Sequence, residues 1–112
     1  MIKSTRQHKR TKALAIPYPV KLRVWERDNG CCLLCGTHNA FPDAHYISRA
    51  HGGLGIEENI WTACRTCHNQ FDNFTDRVRH EADCEFLEEY FKGHYPGWDK
   101  NKLHYRKDEI YE

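Results

Sequence analysis

Apolar residues recur at helical spacing in two separate parts of this chain. Near the N-terminus, the spacing of Val20 and Val24 predicts a helix over residues 20–27, which Pro19 is suited to begin. Further along, a helix is predicted over residues 81–91, where the apolar positions are Phe86, Leu87, Tyr90 and Phe91. The second of these helices is expected to serve packing rather than chemistry.

Short extended segments are predicted between the two helices. Tyr46 and Ile47 favour a strand over residues 44–47, and a second brief strand is expected over residues 60–62. The turn residues before position 31 indicate that residues 31–34 begin a small hairpin.

The remaining middle of the chain is predicted to contain two loops and one more helix. Residues 39–43 are expected to be a loop, and so is the glycine-rich stretch 49–57, because several adjacent glycines disfavour a helix. A third helix is expected over residues 64–79.

The composition limits the size of the core. The chain has 112 residues, of which 39% are hydrophobic, so a thin core is expected that needs a metal or disulfide staple. No apolar run is long enough to cross a membrane, and no secretory h-region is present, so we expect a cytoplasmic protein without a membrane partner. In that compartment, paired cysteines bind metal more often than they form disulfides.

Charge is concentrated at the N-terminal end. Residues 1–27 contain eight basic residues and one acidic residue, Glu26, although the net charge of the whole chain is only +1. Residues 1–18 are expected to form a flexible basic arm. Such an arm suits a polyanion bound at one face, but a solubilising tail is an equally good interpretation.

Two Cys-x-x-Cys pairs predict a closed structural zinc site. Cys32 and Cys35 form the first pair, Cys64 and Cys67 form the second, and 28 residues separate the pairs. Two such pairs complete a tetrahedral site with no open position. Cys31 gives the wrong spacing to Cys35, and two disulfides or four reduced cysteines are the alternatives to zinc.

Several short motifs in this region occur together and in order. They are AHYISR at 44–49, GG at 52–53, ENI at 58–60 and CxxCH at 64–68. Over roughly residues 19–74, this arrangement resembles the HNH endonuclease family, especially the small phage and prophage proteins that carry a four-cysteine zinc site. The resemblance implies an α+β fold with a small ββα-metal (His-Me finger) core flanked by helices. It would divide the chain into the arm (1–18), a nuclease domain (19–80) and a C-terminal helix and ordered tail packed on the core (81–112).

The resemblance also assigns roles to three residues. His45 is expected to be the general base, and His68 is expected to bind one catalytic divalent ion: Mg²⁺, Mn²⁺ or Ni²⁺. Asn59 is expected to hold the loop that aims His45.

The position before His45 departs from the family pattern. Many members place an aspartate or histidine ligand there, whereas this chain has Ala44. Asp72, four residues after His68 and on the same helical face, is the preferred second ligand. Asp43 is the alternative.

The expected function is metal-dependent hydrolysis of DNA, with nicks that leave 5′-phosphate and 3′-hydroxyl ends. Phage DNA packaging, with a terminase as partner, is the setting that the resemblance suggests. The expected DNA contacts are Arg49, Lys9, Arg10 and Lys12. The alternative is a zinc-stabilised DNA-binding or packaging-accessory module with little cleavage, which Ala44 favours, and RNA is a further possible substrate.

Overall fold

Two antiparallel strands and the helix that follows them form the centre of the fold. The computed structural model describes residues 9–107. Their helices and strands are α1 (Lys9–Leu14), α2 (Tyr18–Arg27), β1 (Phe41–His45), β2 (Ile60–Ala63), α3 (Arg65–Asp72) and α4 (Arg77–His94). Short 3-10 turns cover Arg49–His51 and Lys100–Lys102. The protein is thus a small α+β fold with one two-stranded sheet.

The register of the sheet fixes which side chains of β1 face the core. Ala44 pairs with Trp61 and His45 pairs with Ile60, after an irregularity between Phe41 and Ala44. Ala44 is fully buried in the main core cluster. Because side chains alternate along a strand, Asp43 and His45 point to the other face.

The main core lies between the sheet, α3 and α4. The ring centroids of Trp61 and Phe71 are 5.3 Å apart in an edge-on contact. Phe91 of α4 stacks on Trp98, with centroids 5.6 Å apart, and the Trp98 indole N–H donates to the Glu58 carbonyl at 2.8 Å. The segment after α4 is therefore tied to the core. Four of the eight buried residues in this core are aromatic.

The structure confirms the predicted helix at α2 and the strand at β2, but it corrects three local predictions. Residues 31–34 form a turn, not the start of a hairpin, and β1 begins within the stretch 39–43 that was predicted to be a loop. The helix predicted over 64–79 is two helices. Asp76 caps α4 through a bond from the Arg79 N–H at 3.1 Å, and this cap starts a new helix instead of continuing α3.

The N-terminal segment is more ordered than the expected flexible arm. Residues 1–8 lie outside the described part, but residues 9–14 form α1, and Leu14 at its end is buried. The Gly55 N–H donates to the Ala13 carbonyl at 3.0 Å. A Cβ atom at position 55 would lie 1.9 Å from the Ala15 carbonyl oxygen, so this close approach requires glycine.

A buried ion pair joins α2 to β2 and α4. The Arg27 side chain is 7% exposed and contacts Asp28, whose side chain is fully buried, at 2.7 Å. Arg27 also donates to the Ile60 carbonyl at 2.7 Å, while Asp28 accepts from the Thr62 N–H at 2.9 Å and from the Tyr90 hydroxyl at 2.7 Å. This pair therefore ties α2 to the second strand of the sheet and to α4.

Replacing Arg27 by alanine is expected to destabilise the protein by about 3–5 kcal/mol, because Asp28 would keep a buried charge without its partner. Chemical denaturation measures the change. The matched control is Arg23→Ala, which removes the more exposed Arg23–Glu57 pair and should cost less than about 1 kcal/mol. Equal losses in the two variants would contradict this account of the core.

Candidate active site and metal centre

The four cysteines of the two Cys-x-x-Cys pairs converge in the structure. The sulfur atoms of Cys32, Cys35, Cys64 and Cys67 all lie within 4.8 Å of one another. The Cys35 and Cys64 sulfurs are 3.7 Å apart, close to the edge of about 3.8 Å that a tetrahedron with Zn–S bonds of about 2.3 Å would have. All six cysteines are free, so this cluster contains no disulfide. It could hold a structural metal ion such as zinc.

Local backbone geometry prepares both halves of the cluster. In the first half, the Gly36 N–H donates to the Cys32 carbonyl at 2.9 Å, and Gly36 adopts a φ of 82°, which glycine tolerates best. In the second half, the Cys64 sulfur caps α3 by accepting from the Cys67 N–H at 3.3 Å. Both arrangements turn sulfur atoms toward one point.

The protein also favours one ionised thiol before any metal binds. Burial opposes ionisation of Cys32, but hydrogen bonds from the backbone of Cys64, Cys35 and Leu34 outweigh it and lower the pKa of the thiol to about 7. A thiolate is the form that binds zinc. The other two cysteines of the chain, Cys31 and Cys84, lie outside the cluster, each 3.4 Å from a histidine nitrogen.

A cleft of about 580 Å³ opens beside this cluster, between β1, α3 and the turn at Arg49–His51. Its lining includes His45, His68, Asp43, Asp72, Arg49 and Lys21. The structure thus brings together both candidate catalytic histidines, both candidate carboxylate ligands and Arg49. Asn59, in contrast, lies behind the cleft in the fully buried interior.

His45 is held by a bond from outside the sheet. Its side chain is buried, and Nε2 lies 2.9 Å from the Leu14 carbonyl oxygen. A carbonyl can only accept, so Nε2 carries the proton and Nδ1 keeps its lone pair. Burial, helped by the positive charges of Arg49 and His68, lowers the pKa of His45 below 6.5, against the opposing effects of Leu14 and Asp72. His45 is therefore a neutral base near pH 7.

His68 lies between two carboxylates, one at each ring nitrogen. Nε2 is 3.1 Å from Oδ2 of Asp72, and Nδ1 is 3.7 Å from Oδ1 of Asp43. The bond to Asp72 is the main reason that the pKa of His68 is raised. Oδ1 of Asp43 is buried and has no hydrogen-bond partner among residues 9–107. Asp72 is therefore within hydrogen-bond distance of the His68 ring, whereas Asp43 is not.

Asn59 connects the segment after β1 to the glycine-rich loop. Its Oδ1 accepts from the Ile47 N–H at 2.7 Å, and its Nδ2 donates to the carbonyls of Ile47 at 3.1 Å and Leu54 at 2.9 Å. The loop approaches closely enough that a Cβ atom at Gly53 would lie 1.6 Å from the Ile47 carbonyl oxygen. This geometry is what a loop-holding role for Asn59 requires.

Replacing Asn59 by alanine is expected to remove the side-chain partner of three backbone groups, one buried and two part-buried, and to destabilise the protein by about 2–4 kcal/mol. Denaturant titration measures the loss. The control is Asn73→Ala, because the Asn73 side chain is exposed and bonds only to the exposed Asn69 side chain at 3.0 Å. A loss no greater in Asn59→Ala than in the control would rule out a bridging role for Asn59.

The expected DNA-contact residues lie on two connected segments. Arg49 lines the cleft, and its carbonyl accepts a bond from the Arg10 guanidinium at 3.2 Å. Lys9 and Lys12 are exposed on α1. Because the last residue of α1 supplies the carbonyl that fixes His45, the basic segment and the candidate base belong to one structural unit.

Two further residues near the cleft were missed by the sequence analysis. Lys21 of α2 contributes to its lining, and Arg65 contacts Asp43 at 3.5 Å. Arg65 lies within the second Cys-x-x-Cys pair, so its proximity to the site could have been inferred from the zinc prediction. Nothing in the local sequence indicates the position of Lys21.

No protein-family model, curated protein or solved structure matches this chain. The likeness to HNH endonucleases therefore stays a prediction that rests on the motifs. None of the helices in residues 9–107 has the length and apolar character needed to span a membrane.

Proposed function

We propose that this protein is an HNH-type, metal-dependent endonuclease that hydrolyses DNA phosphodiester bonds, producing nicks with 5′-phosphate and 3′-hydroxyl ends. The observation that carries the proposal is the pairing of His45 and His68 in one cleft. His45 offers a neutral Nδ1, and His68 directly follows a cysteine of the four-sulfur cluster. The order β1, β2, α3 agrees with the ββα core that the motifs imply.

His45 is the general base in this proposal. Nδ1 takes a proton from a water molecule, the water oxygen attacks phosphorus, the bond to the 3′ oxygen breaks, and that oxygen takes up a proton from solvent. The Leu14 carbonyl holds the ring so that Nδ1, rather than Nε2, faces the substrate. The low pKa of His45 keeps Nδ1 unprotonated near pH 7.

His68 and Asp43 are the residues that fit a catalytic divalent ion best. Such an ion would relieve charge on the phosphate and assist the leaving oxygen. The fit rests on Oδ1 of Asp43, a buried atom with no hydrogen-bond partner among residues 9–107, which lies 3.7 Å from Nδ1 of His68. That separation is too long for a hydrogen bond. It falls within the range of about 3.0–4.2 Å for two ligands of one ion with bonds of about 2.1 Å.

Asp72 has a different role, because it contacts the other nitrogen of His68. Its bond to Nε2 at 3.1 Å favours the tautomer that leaves Nδ1 free for the ion. Histidine ligands of metals commonly donate their second N–H to a carboxylate in this way. The proposal thus reverses the preference expected from the sequence and makes Asp43 the ligand.

Asp43→Asn is expected to weaken Mn²⁺ binding by more than the roughly 10–100-fold that the loss of a supporting group costs, because it removes the charge of a direct ligand. Asp72→Asn changes a supporting group and keeps an oxygen near Nε2, so its loss should be smaller, at the low end of that range. Calorimetric titration of zinc-loaded protein with Mn²⁺ gives both affinities without reference to activity. A larger loss in Asp72→Asn than in Asp43→Asn would return the ligand role to Asp72.

The surrounding charge supports a nucleic acid as substrate. Arg49 lies in the cleft, and α1 presents exposed basic side chains: Lys9, Arg10 and Lys12. These groups would bind phosphates without regard to sequence. Phage DNA packaging as the setting, and a terminase as partner, remain part of the proposal and rest on the likeness of the motifs alone.

The proposal is tested with zinc-loaded protein, supercoiled plasmid and an added divalent ion. Relaxed circles should form, and DNA ligase should reseal them, since resealing requires 5′-phosphate and 3′-hydroxyl ends. RNA added as competitor should inhibit less than DNA of equal length. Products that ligase cannot reseal would contradict the proposed chemistry.

A second candidate is a DNA-binding or packaging-accessory module that does not cleave. Ala44 favours it, because position 44 offers no ligand. The burial of Ala44 in the core weakens that argument, because a side chain at position 44 would not reach the cleft. In the proposed site, the neighbouring Asp43 supplies the ligand from the cleft side of β1. A gel shift with DNA, without nicking by any of the three ions, would favour this second function.

A further inference from the structure

An exposed arginine lies over an exposed aromatic ring at the edge of the cleft. The Arg65 guanidinium carbon is 4.4 Å from the centroid of the Phe41 ring. The Arg65 side chain is 69% exposed, and Phe41 is 40% exposed. Arg65 also approaches Oδ2 of Asp43 at 3.5 Å, whereas Oδ1 of the same carboxylate faces His68. Arg65 is thus one side chain away from the proposed ion site.

This contact restricts Arg65 without using up its hydrogen-bonding capacity. The cation–π contact with Phe41 uses the charge of the guanidinium and none of its five N–H donors. The one described carboxylate near it is 3.5 Å away, which is a weak contact. A planar, oriented guanidinium with free donors is the arrangement that binds phosphate oxygens in pairs.

The position of Arg65 in the chain also favours the binding of phosphate. Arg65 is the first residue of α3, which has eight residues and begins at the Cys64 cap. The N-terminal end of a helix carries partial positive charge. Two members of the four-cysteine cluster, Cys64 and Cys67, lie on either side of Arg65 at this end of the helix.

We propose that Arg65, held on Phe41, forms a second phosphate subsite, which binds a backbone phosphate next to the one in the cleft. The ligand class is a polynucleotide strand, and the contact is independent of base sequence. This inference rests on the proposed nuclease function. It adds to the Arg49 contact a second anchoring point for the strand, beside the side chains that would hold the ion.

The test measures DNA binding by fluorescence anisotropy, with zinc-loaded protein and a labelled duplex in the absence of an added divalent ion. Salt is varied between about 50 and 200 mM, because each phosphate contact contributes about 0.9 to the slope of log affinity against log salt. Arg65→Gln should lower the affinity roughly tenfold and reduce this slope by about 0.9.

Two other variants separate charge from geometry. Arg65→Lys should keep the slope but lose part of the affinity, because a lysine cannot reproduce the paired donors. Phe41→Leu removes the stacking ring and should lower affinity about threefold at an unchanged slope. Phe41 lies outside the cysteine pairs, so this variant tests the subsite even where Arg65→Gln disturbs zinc binding.

The matched control is Arg79→Gln. Arg79 is also exposed and has an aspartate partner, Asp83, at 3.8 Å, but Asp83 lies outside the cleft lining, whereas Asp43, the partner of Arg65, belongs to it. The DNA affinity of Arg79→Gln, and the slope of its log affinity against log salt, should stay within about twofold of the wild-type values. If wild type binds and nicks DNA while Arg65→Gln behaves like Arg79→Gln, the subsite is overturned and the nuclease proposal stands. If wild type neither binds nor nicks DNA, both proposals fall.

Discussion

Cys35→Ser is expected to release the structural metal and to lower the melting temperature by more than about 10 °C. Cys35 is exposed, so serine at this position removes a zinc ligand without creating a cavity. Zinc binding to four thiolates supplies much of the folding free energy in small domains with a thin core. Metal analysis and a thermal melt measure the two effects on the same sample.

The chain contains its own control for this substitution. Cys31 precedes the cluster by one residue but contributes no ligand to it. Cys31→Ser should therefore keep one zinc per chain and a melting temperature within a few degrees of wild type. Equal zinc content in Cys35→Ser and Cys31→Ser would show that the four sulfurs do not bind the metal together.

The loss of zinc is also expected to abolish nicking, because Cys67 and His68 are adjacent. Cys67 lies in the first turn of α3, and the Cys64 sulfur accepts its N–H. When the metal is lost, we expect this turn to shift relative to β1, so that His68 no longer faces Asp43. Activity and zinc content should therefore fall together in a titration with a chelator.

His45→Ala is expected to lower the rate of plasmid nicking by about 10²–10⁴-fold, the usual contribution of a general base. The substitution removes Nδ1, the one lone pair that the Leu14 contact leaves free. Initial rates under saturating DNA measure the effect. Zinc content and circular dichroism should match wild type, since the cysteine cluster does not involve His45.

His51→Ala is the matched control for His45→Ala. His51 lines the same cleft but is exposed, and its ring contacts the Ser48 hydroxyl at 2.7 Å. It lacks the bond that fixes the tautomer of His45, and its loss should change the rate by less than about tenfold. Similar losses in the two variants would show that the cleft does not distinguish His45 as the base.

The parts of the fold that local sequence could predict are those with strong local signals. The Pro19 start and apolar spacing of α2 predict that helix, and the two Cys-x-x-Cys pairs predict the cluster. Strand β1 begins three residues before the predicted strand 44–47 and ends before Tyr46. Its first part could not be predicted, because it contains Pro42, which lacks an N–H to donate and disfavours a strand. Pairing with β2, almost twenty residues away, is what makes this segment a strand.

The break between α3 and α4 shows a second limit of prediction from local sequence, which is the position of helix ends. The sequence predicts one helix over residues 64–79, but the Asp76 side chain caps a new helix by accepting from the Arg79 N–H. Aspartate is a common N-cap residue, so the sequence contains a signal for this boundary. Phe71 ends up in the core while Phe74, three residues later, is exposed.

The geometry of the cleft could not be inferred from spacing. The bond from His45 to Leu14 joins residues 31 positions apart and depends on how α1 packs. The separate relations of Asp43 and Asp72 to His68 depend on which ring nitrogen each carboxylate meets. Sequence identified the candidate residues, whereas their roles follow from tertiary contacts.

The measurement that tests the central claim most directly is the initial rate of plasmid nicking by zinc-loaded protein as Mn²⁺ is added. The proposed cleft predicts no nicking before addition, and then a rate that rises and saturates with the Mn²⁺ affinity found by calorimetry, which Asp43→Asn weakens. DNA that is bound but never nicked at any Mn²⁺ concentration would contradict the claim that this cleft is a nuclease site.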